Sequence, residues 1–216
     1  METIKKFVIN LKRRPDRLEA FQKNCPFDDV EVIHGFDGKN VSAEELQIEK
    51  KTLYKLGKLK PGEKGVFLSH LRIFQKIVDL NINHALIFED DALFCEGFLV
   101  MFNKLLKEIP KDIYILYVGG RFEPYFKMKN CSNISDIIVK HNIGYSCGHD
   151  MDRTLHAYII SNELAQLCIK EFYGSINIKE AIDSWILKVC TNNSIEIYST
   201  YPLLCHSPLI SNSDIR

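Results

Sequence analysis

"ALIFEDDALF", residues 85–94, runs from four apolar residues into three consecutive carboxylates, Glu89, Asp90 and Asp91, and then back into apolar residues. The apolar four read as a buried strand. Three adjacent carboxylates repel one another, and keeping them ionised beside a core requires cations or several hydrogen bonds. A solvated acidic turn is the plain alternative, but the apolar flanks on both sides argue against it. A divalent metal meets the requirement, because Mg²⁺ and Mn²⁺ take one or two carboxylates and fill their other positions with phosphate oxygens and water. The implied ligand is a diphosphate.

Outward from this stretch, β-branched and aromatic runs at 7–11, 30–34, 85–88, 113–118, 157–161 and 195–199 read as strands. Helical spacing occupies the intervals at 15–24, 43–51, 66–80, 96–107, 162–172 and 179–190. In the third of these, Phe67, Leu71, Phe74 and Val78 share one face. Strands interleaved with helices predict an α/β fold with a mostly parallel, doubly wound sheet, in a single domain over 1–216. Ligands of such sheets bind beyond the carboxyl ends of the strands, which puts Glu89–Asp91 at the mouth of a cleft.

Lys plus Arg and Asp plus Glu both number 28, so no bulk field attracts nucleic acid or anionic lipid. Seven cysteines without a C-x-x-C pair read as reduced, buried residues. No apolar run is long enough for a membrane span and no signal core follows Met1, so the chain reads as cytoplasmic. The tripeptides beginning at Asn130, Asn133 and Asn193 look like glycosylation acceptors only by chance. Neither G-x-x-x-x-G-K-[ST] nor G-x-G-x-x-G is present, so phosphates must be held by metal and scattered side chains.

Four stretches resemble glycosyltransferase family 25, which includes lipooligosaccharide and collagen galactosyltransferases. They are "FVINLKRRPDR" (7–17), "VIHGFDGK" (32–39), "PGEKGVFLSHLRIFQKIV" (61–78) and "ALIFEDDA" (85–92), in family order and at family-like spacing. The resemblance implies a GT-A fold, a UDP-sugar donor, Mn²⁺ dependence and inversion at the anomeric carbon. It places uracil near Asn10 and Leu11 and adds Glu63, Gly65, Ser69 and His70 as a donor-side signature. "AIDSWIL" (181–187) resembles a family stretch that puts Asp183 near the acceptor as catalytic base. "NSDIR" (212–216) resembles a terminal S-D-I. "LHAYIIS" (155–161) resembles G-T-H-A-Y-L-I-S, with Thr154-Leu155 in place of Gly-Thr.

Among the carboxylates, Asp91 is the expected direct metal ligand, with Glu89 on the same face if strand geometry continues. Asp90 then points to sugar or ribose hydroxyls. GT-A enzymes often complete the metal shell with a late histidine, here His206, for which a structural role is the alternative. Arg14 and Arg17 can pair with phosphate or with neighbouring Asp16. Asp37 and Gly38 end the second strand, the glycine allowing a tight turn. Ser69 and His70 are either donor-site groups or satisfied core residues. Asp183 can instead cap its helix, and Trp185 fits core packing better than sugar stacking. Cys147, His149, Asp150 and Asp152 lack the second ligand pair of a zinc site and fit an acceptor loop.

The sequence is thus read as an inverting, Mn²⁺- or Mg²⁺-dependent hexosyltransferase, moving galactose or glucose from a UDP-hexose to a glycan or hydroxylated acceptor. A catalytically inactive sugar-nucleotide or glycan-binding protein on the same fold is the rival, since fold does not fix function. A metal-dependent phosphotransferase lacks its phosphate loop.

Overall fold

The computed structural model describes residues 4–39, 54–121, 131–141 and 154–207. The helix expected at 43–51, the polar cluster at 147–152 and the stretch 212–216 lie outside the described residues. In chain order the elements are β1 (Lys5–Asn10), α1 (Pro15–Asn24), β2 (Val30–His34), α2 (Pro61–Asp79), β3 (His84–Glu89), β4 (Leu93–Phe94), α3 (Phe98–Glu108) and β5 (Ile115–Tyr117). There follow β6 (Gly119–Arg121), β7 (Cys131–Asn133), β8 (Ile138–His141), β9 (Ala157–Ser161), α4 (Asn162–Gly174), α5 (Ile182–Asn192), β10 (Ile197–Thr200) and β11 (Cys205–Ser207). Each of the six runs read as strands coincides with or overlaps one of these.

The large sheet has the order β2-β1-β3-β9-β5-β10-β8-β7, and β4, β11 and β6 form a smaller one. β1 is parallel to β2 and β3, and β5 is parallel to β10. β9 runs antiparallel to both β3 and β5, and β8 antiparallel to β10 and β7. The α/β class is therefore as expected, with β9 and β8 reversed against the other strands.

Strand alternation sorts the core into two layers. Phe7, Ile87, Ile115, Tyr117, Tyr158 and Ile160 face α2, α4 and α5, joining Phe67, Phe172 and Trp185. Val8, Leu86, Phe88, Leu116 and Ile159 face the opposite way, toward Phe21 of α1 and Phe98 and Phe102 of α3. Trp185 is a core residue, its ring centroid 5.1 Å from that of Phe67. Among the described residues no helix is long and apolar enough to cross a membrane, and five cysteines are free thiols.

Hydrophobic spacing starts the second described helix at Val66, but α2 begins at Pro61. Pro61 takes the first helical turn, where a missing N–H costs nothing, and Glu63 Oε2 accepts a 2.8 Å bond from the Lys60 N–H. This extra turn is what the loop after β2 leans on. A Cβ on Gly38 would lie 1.7 Å from the Pro61 carbonyl oxygen, and one on Gly65 would lie 2.5 Å from that of Phe36. Gly38 lies in a turn, as expected of it, and also serves a close approach of two backbones. Ser69 fastens the same contact: its hydroxyl donates to the Gly65 carbonyl at 2.6 Å and accepts from the Phe36 N–H at 2.7 Å.

Both neighbours of these glycines are backbone and cannot swing aside. Gly38→Ala and Gly65→Ala should each lower stability by about 1–3 kcal/mol, as overpacking does. Gly174→Ala is the control, since a Cβ there meets nothing within 4 Å; it should be neutral or slightly stabilising. Urea midpoints of the three variants check this, and a Gly65→Ala protein as stable as wild type would remove the close-approach account.

Candidate active site

The end of β3 distributes the acidic triplet. Alternation points Glu89, like Ile87, toward α2, and Asp90, like Phe88, toward α1. The strand ends at Glu89 and the chain turns, the Ala92 N–H bonding back to the Glu89 carbonyl at 3.1 Å. That turn brings Asp91 back beside Glu89, on the far side of a histidine not singled out in the sequence. His156 immediately precedes β9, and because β9 runs antiparallel to β3 it arrives opposite Glu89. His156 Nδ1 lies 2.8 Å from Glu89 Oε2 and 3.3 Å from Asp91 Oδ1.

Asp90 is held from the other layer. The Asn10 amide, buried at the end of β1, donates to Asp90 Oδ2 at 2.7 Å and to the Arg14 carbonyl at 2.9 Å. Arg17 of α1 pairs with Asp90 and reaches Asp91 Oδ2 at 3.0 Å. Repulsion among the three carboxylates is therefore offset within the protein, by Arg17 and His156.

The electrostatics follow from burial against pairing. Burial disfavours charge on Glu89, but His156 and His70 outweigh it and hold the carboxyl well below the usual range. Burial likewise works against a charged His156, yet Glu89 and Asp91 overcome it and push the imidazole up to about 10. For Asp90 burial prevails over Arg17 and Asn10, raising it to about 6.

Glu89, Asp90 and Asp91 form the floor of a cleft that opens to solvent. Its walls carry Leu11 and Ile9, the loop residues Asp37, Gly38 and Lys39, Ser69 and His70 of α2, and Arg13 and Arg17. Arg13, absent from the sequence-based candidates, bonds Asp37 at 2.7 Å through Nε. The turn in which the Arg14 N–H bonds the Leu11 carbonyl decides which arginine faces inward. Arg14 falls outside the cleft lining and makes the local pair with Asp16, at 2.8 Å.

The remaining candidates are placed as follows. Glu63 caps α2 and does not line the cleft. Ser69 lines it, with its hydroxyl engaged by backbone. Asp183 stands in the first turn of α5, outside the cleft lining, its Oδ1 accepting from the Ser184 N–H at 2.7 Å; the cap position itself is Ala181. His206 sits in β11 with Nδ1 3.8 Å from Cys95 Sγ. Among the described residues, the group whose ligand atoms converge within 4.8 Å of one another is Glu89, Asp91 and His156. Two oxygens and an imidazole nitrogen suit Mn²⁺ better than the oxygen-seeking Mg²⁺. Asp91 Oδ1 is buried and accepts no well-formed hydrogen bond, which fits an atom that awaits a cation.

Known proteins are similar to this chain in sequence. Procollagen galactosyltransferase 2 of Mus musculus is 32% identical over 127 residues, which cover 53% of this chain and 20% of that protein. A procollagen lysyl hydroxylase and glycosyltransferase of Acanthamoeba polyphaga mimivirus is 29% identical over 200 residues, 82% of this chain and 20% of that protein. The chain therefore spans about a fifth of the length of these relatives. Among solved structures, mannose-1-phosphate geranyltransferase from Thermus thermophilus aligns at a TM-score of 0.47 and 9% identity, covering 93% of this chain and 74% of that one. The profile described as glycosyltransferase family 25 (LPS biosynthesis protein) matches residues 3–186, a span containing the whole acidic floor, its histidine and the basic wall, and the chain belongs to that family.

Proposed function

We propose that this chain transfers a hexose, galactose or else glucose, from a UDP-sugar to a hydroxyl of a glycan or hydroxylated acceptor, with inversion and with the help of Mn²⁺. The observation that carries the reading is the pairing of opposite charges in one cleft: the Glu89–Asp91 floor faces a wall bearing Arg13, Arg17 and Lys39. A metal-bound diphosphate presents both signs and complements both surfaces. The name of the mouse relative favours galactose.

Glu89, Asp91 and His156 would hold the cation, His156 giving up the proton it shares with the two carboxylates, and the bound cation would neutralise charge on a diphosphate leaving group. Asp90, tied to Asn10 and Arg17, is oriented by the protein rather than by the cation and offers an acceptor to a sugar or ribose hydroxyl. Arg13 and Arg17 give the phosphates charge-assisted donors, and Ile9 and Leu11 give the nucleobase an apolar wall. The base for the acceptor hydroxyl rests on the resemblance of 181–187 alone, which names Asp183.

Isothermal calorimetry with UDP, in EDTA and in Mn²⁺, tests the donor site. Affinity should require the metal, and Asp91→Asn should weaken Mn²⁺-dependent binding by more than about tenfold by analogy with lost ligand-orienting groups. Equal affinity in the two buffers would sink the metal bridge.

Turnover separates an enzyme from a silent binding protein. Asp183→Asn should leave UDP affinity intact while transfer falls roughly 10²–10⁴-fold, the range for lost acid–base assistance. Unchanged turnover would return Asp183 to a purely structural place at the start of α5, and absence of Mn²⁺-dependent release of UDP from every UDP-hexose in wild type would favour the binding protein.

A further inference from the structure

Behind the cleft floor a chain of polar side chains runs into the core. Tyr158, two residues after His156 and on the same face of β9, is fully buried, and its hydroxyl lies 2.7 Å from His70 Nδ1. His70, also fully buried, comes from α2, and its other nitrogen, Nε2, lies 3.4 Å from Glu89 Oε1. Glu89 Oε2 is engaged by His156 at 2.8 Å. A buried histidine normally finds a backbone partner and has no further significance. His70 instead joins two side chains, one of which is a carboxylate of the cleft.

An ionised carboxylate only accepts, so Nε2 carries the hydrogen that faces Glu89, and Nδ1 is engaged by the phenol. Without the phenol hydroxyl the ring keeps that hydrogen but loses the partner that fixes it from behind. The 3.4 Å separation is long for such a bond, and His156 makes the shorter contact with the same carboxylate.

We propose that Tyr158 and His70 are positioning residues for Glu89: the phenol anchors the His70 ring, and the Nε2–H of the anchored ring holds one carboxylate oxygen while the other is aimed at the point shared by Asp91 and His156. The role rests on the reading of that point as a cation site. Two features make the pair suited to it. Both side chains are rigid rings inside packed core, with the His70 ring 6.3 Å from Phe74 and 5.7 Å from Tyr158, so the direction of Nε2 is set by packing. His156 and Tyr158 are delivered by the same strand, so the group that shares Glu89 and the group that orients it move together.

Mn²⁺ alone is the probe, titrated calorimetrically into the full chain as wild type, Tyr158→Phe, His70→Gln and the double variant. Tyr158→Phe should weaken Mn²⁺ binding by about 10–100-fold, the range seen when a ligand-orienting group is lost. Glutamine keeps an N–H donor for Glu89 without an imidazole ring for the phenol to anchor, so His70→Gln should retain most of the affinity. On that background Tyr158→Phe should cost no more than about twofold, because the coupling between the two sites is gone. Nitrogen-15 spectra of the metal-free protein supply a readout independent of metal: wild-type His70 should carry a hydrogen on Nε2, and Tyr158→Phe should move the Nδ1 resonance as its hydrogen bond is lost. A wild-type ring with no hydrogen on Nε2, equal Mn²⁺ affinity of Tyr158→Phe and wild type, or an equal loss on both backgrounds would each overturn the positioning role while leaving the cation site intact. A wild type that binds no Mn²⁺ would overturn the cation reading and this role together, so the two failures are told apart.

Discussion

A buried imidazole between two carboxylates, His156 between Glu89 and Asp91, is the contact on which the cleft depends. Negative charge at the end of a core strand is expensive to desolvate unless opposite charge and hydrogen bonds come with it. In an all-parallel sheet the neighbours of Glu89 would be other strand ends. The reversal of β9 changes this, because the start of β9 lies beside the end of β3 and carries His156 to the carboxylates. The same reversal sends the chain to the opposite edge of the sheet, where Ser161 caps α4 by accepting from the Leu164 N–H at 3.2 Å. One antiparallel strand thus supplies the counter-charge of the floor, the ring that reaches His70, and the start of a core helix.

The opposite wall depends on a different constraint, the contact of two backbones. Gly38 and Gly65 let the loop after β2 lie against the first turns of α2, and Ser69 ties the Phe36 N–H into the helix. That fixes Asp37, which in turn holds Arg13 over the cleft. The residues of "PGEKGVFLSH" therefore divide their duties by turn of the helix: Pro61 and Glu63 start it, Gly65 and Ser69 dock the loop, and His70 alone reaches the acidic floor.

Much of this was legible in the sequence where a local pattern fixes local structure. Alternating or continuous apolar runs located the principal strands, and the flanks of the triplet revealed that its charge sits at a core edge. Asn10, Leu11 and Arg17 emerge at a strand end or in the first turn of a helix, and Asp37 in the loop beyond β2 rather than at the strand end expected of it and Gly38; the structure brings all four to or beside the cleft. What could not be read depends on partners distant in sequence. His156 lay within a quoted stretch, but its role follows from strand order and direction, which periodicity does not encode. Arg13 and Arg14 are adjacent, and only the turn hydrogen bond from Arg14 to Leu11 decides which one faces the cleft. Glu63 and Ser69 belong to a motif, yet the bonds they make go to backbone, so their contribution to the site is through the wall they build.

Charge complementarity explains why no glycine-rich phosphate loop is needed. The floor carries three carboxylates against the charges of Arg17 and His156, so it remains anionic even with Asp90 raised to about 6. On the proposed reading, a diphosphate entering without a cation meets Coulomb repulsion from that floor, and a cation bound there first removes it. The cation then answers the floor while the phosphates answer Arg13, Arg17 and Lys39. A P-loop achieves phosphate binding with backbone N–H groups that serve any polyphosphate. On the proposed reading the same task falls here to side chains of opposite sign on facing walls, which would tie recognition of the diphosphate to the cation and tie both to the register of β9 against β3.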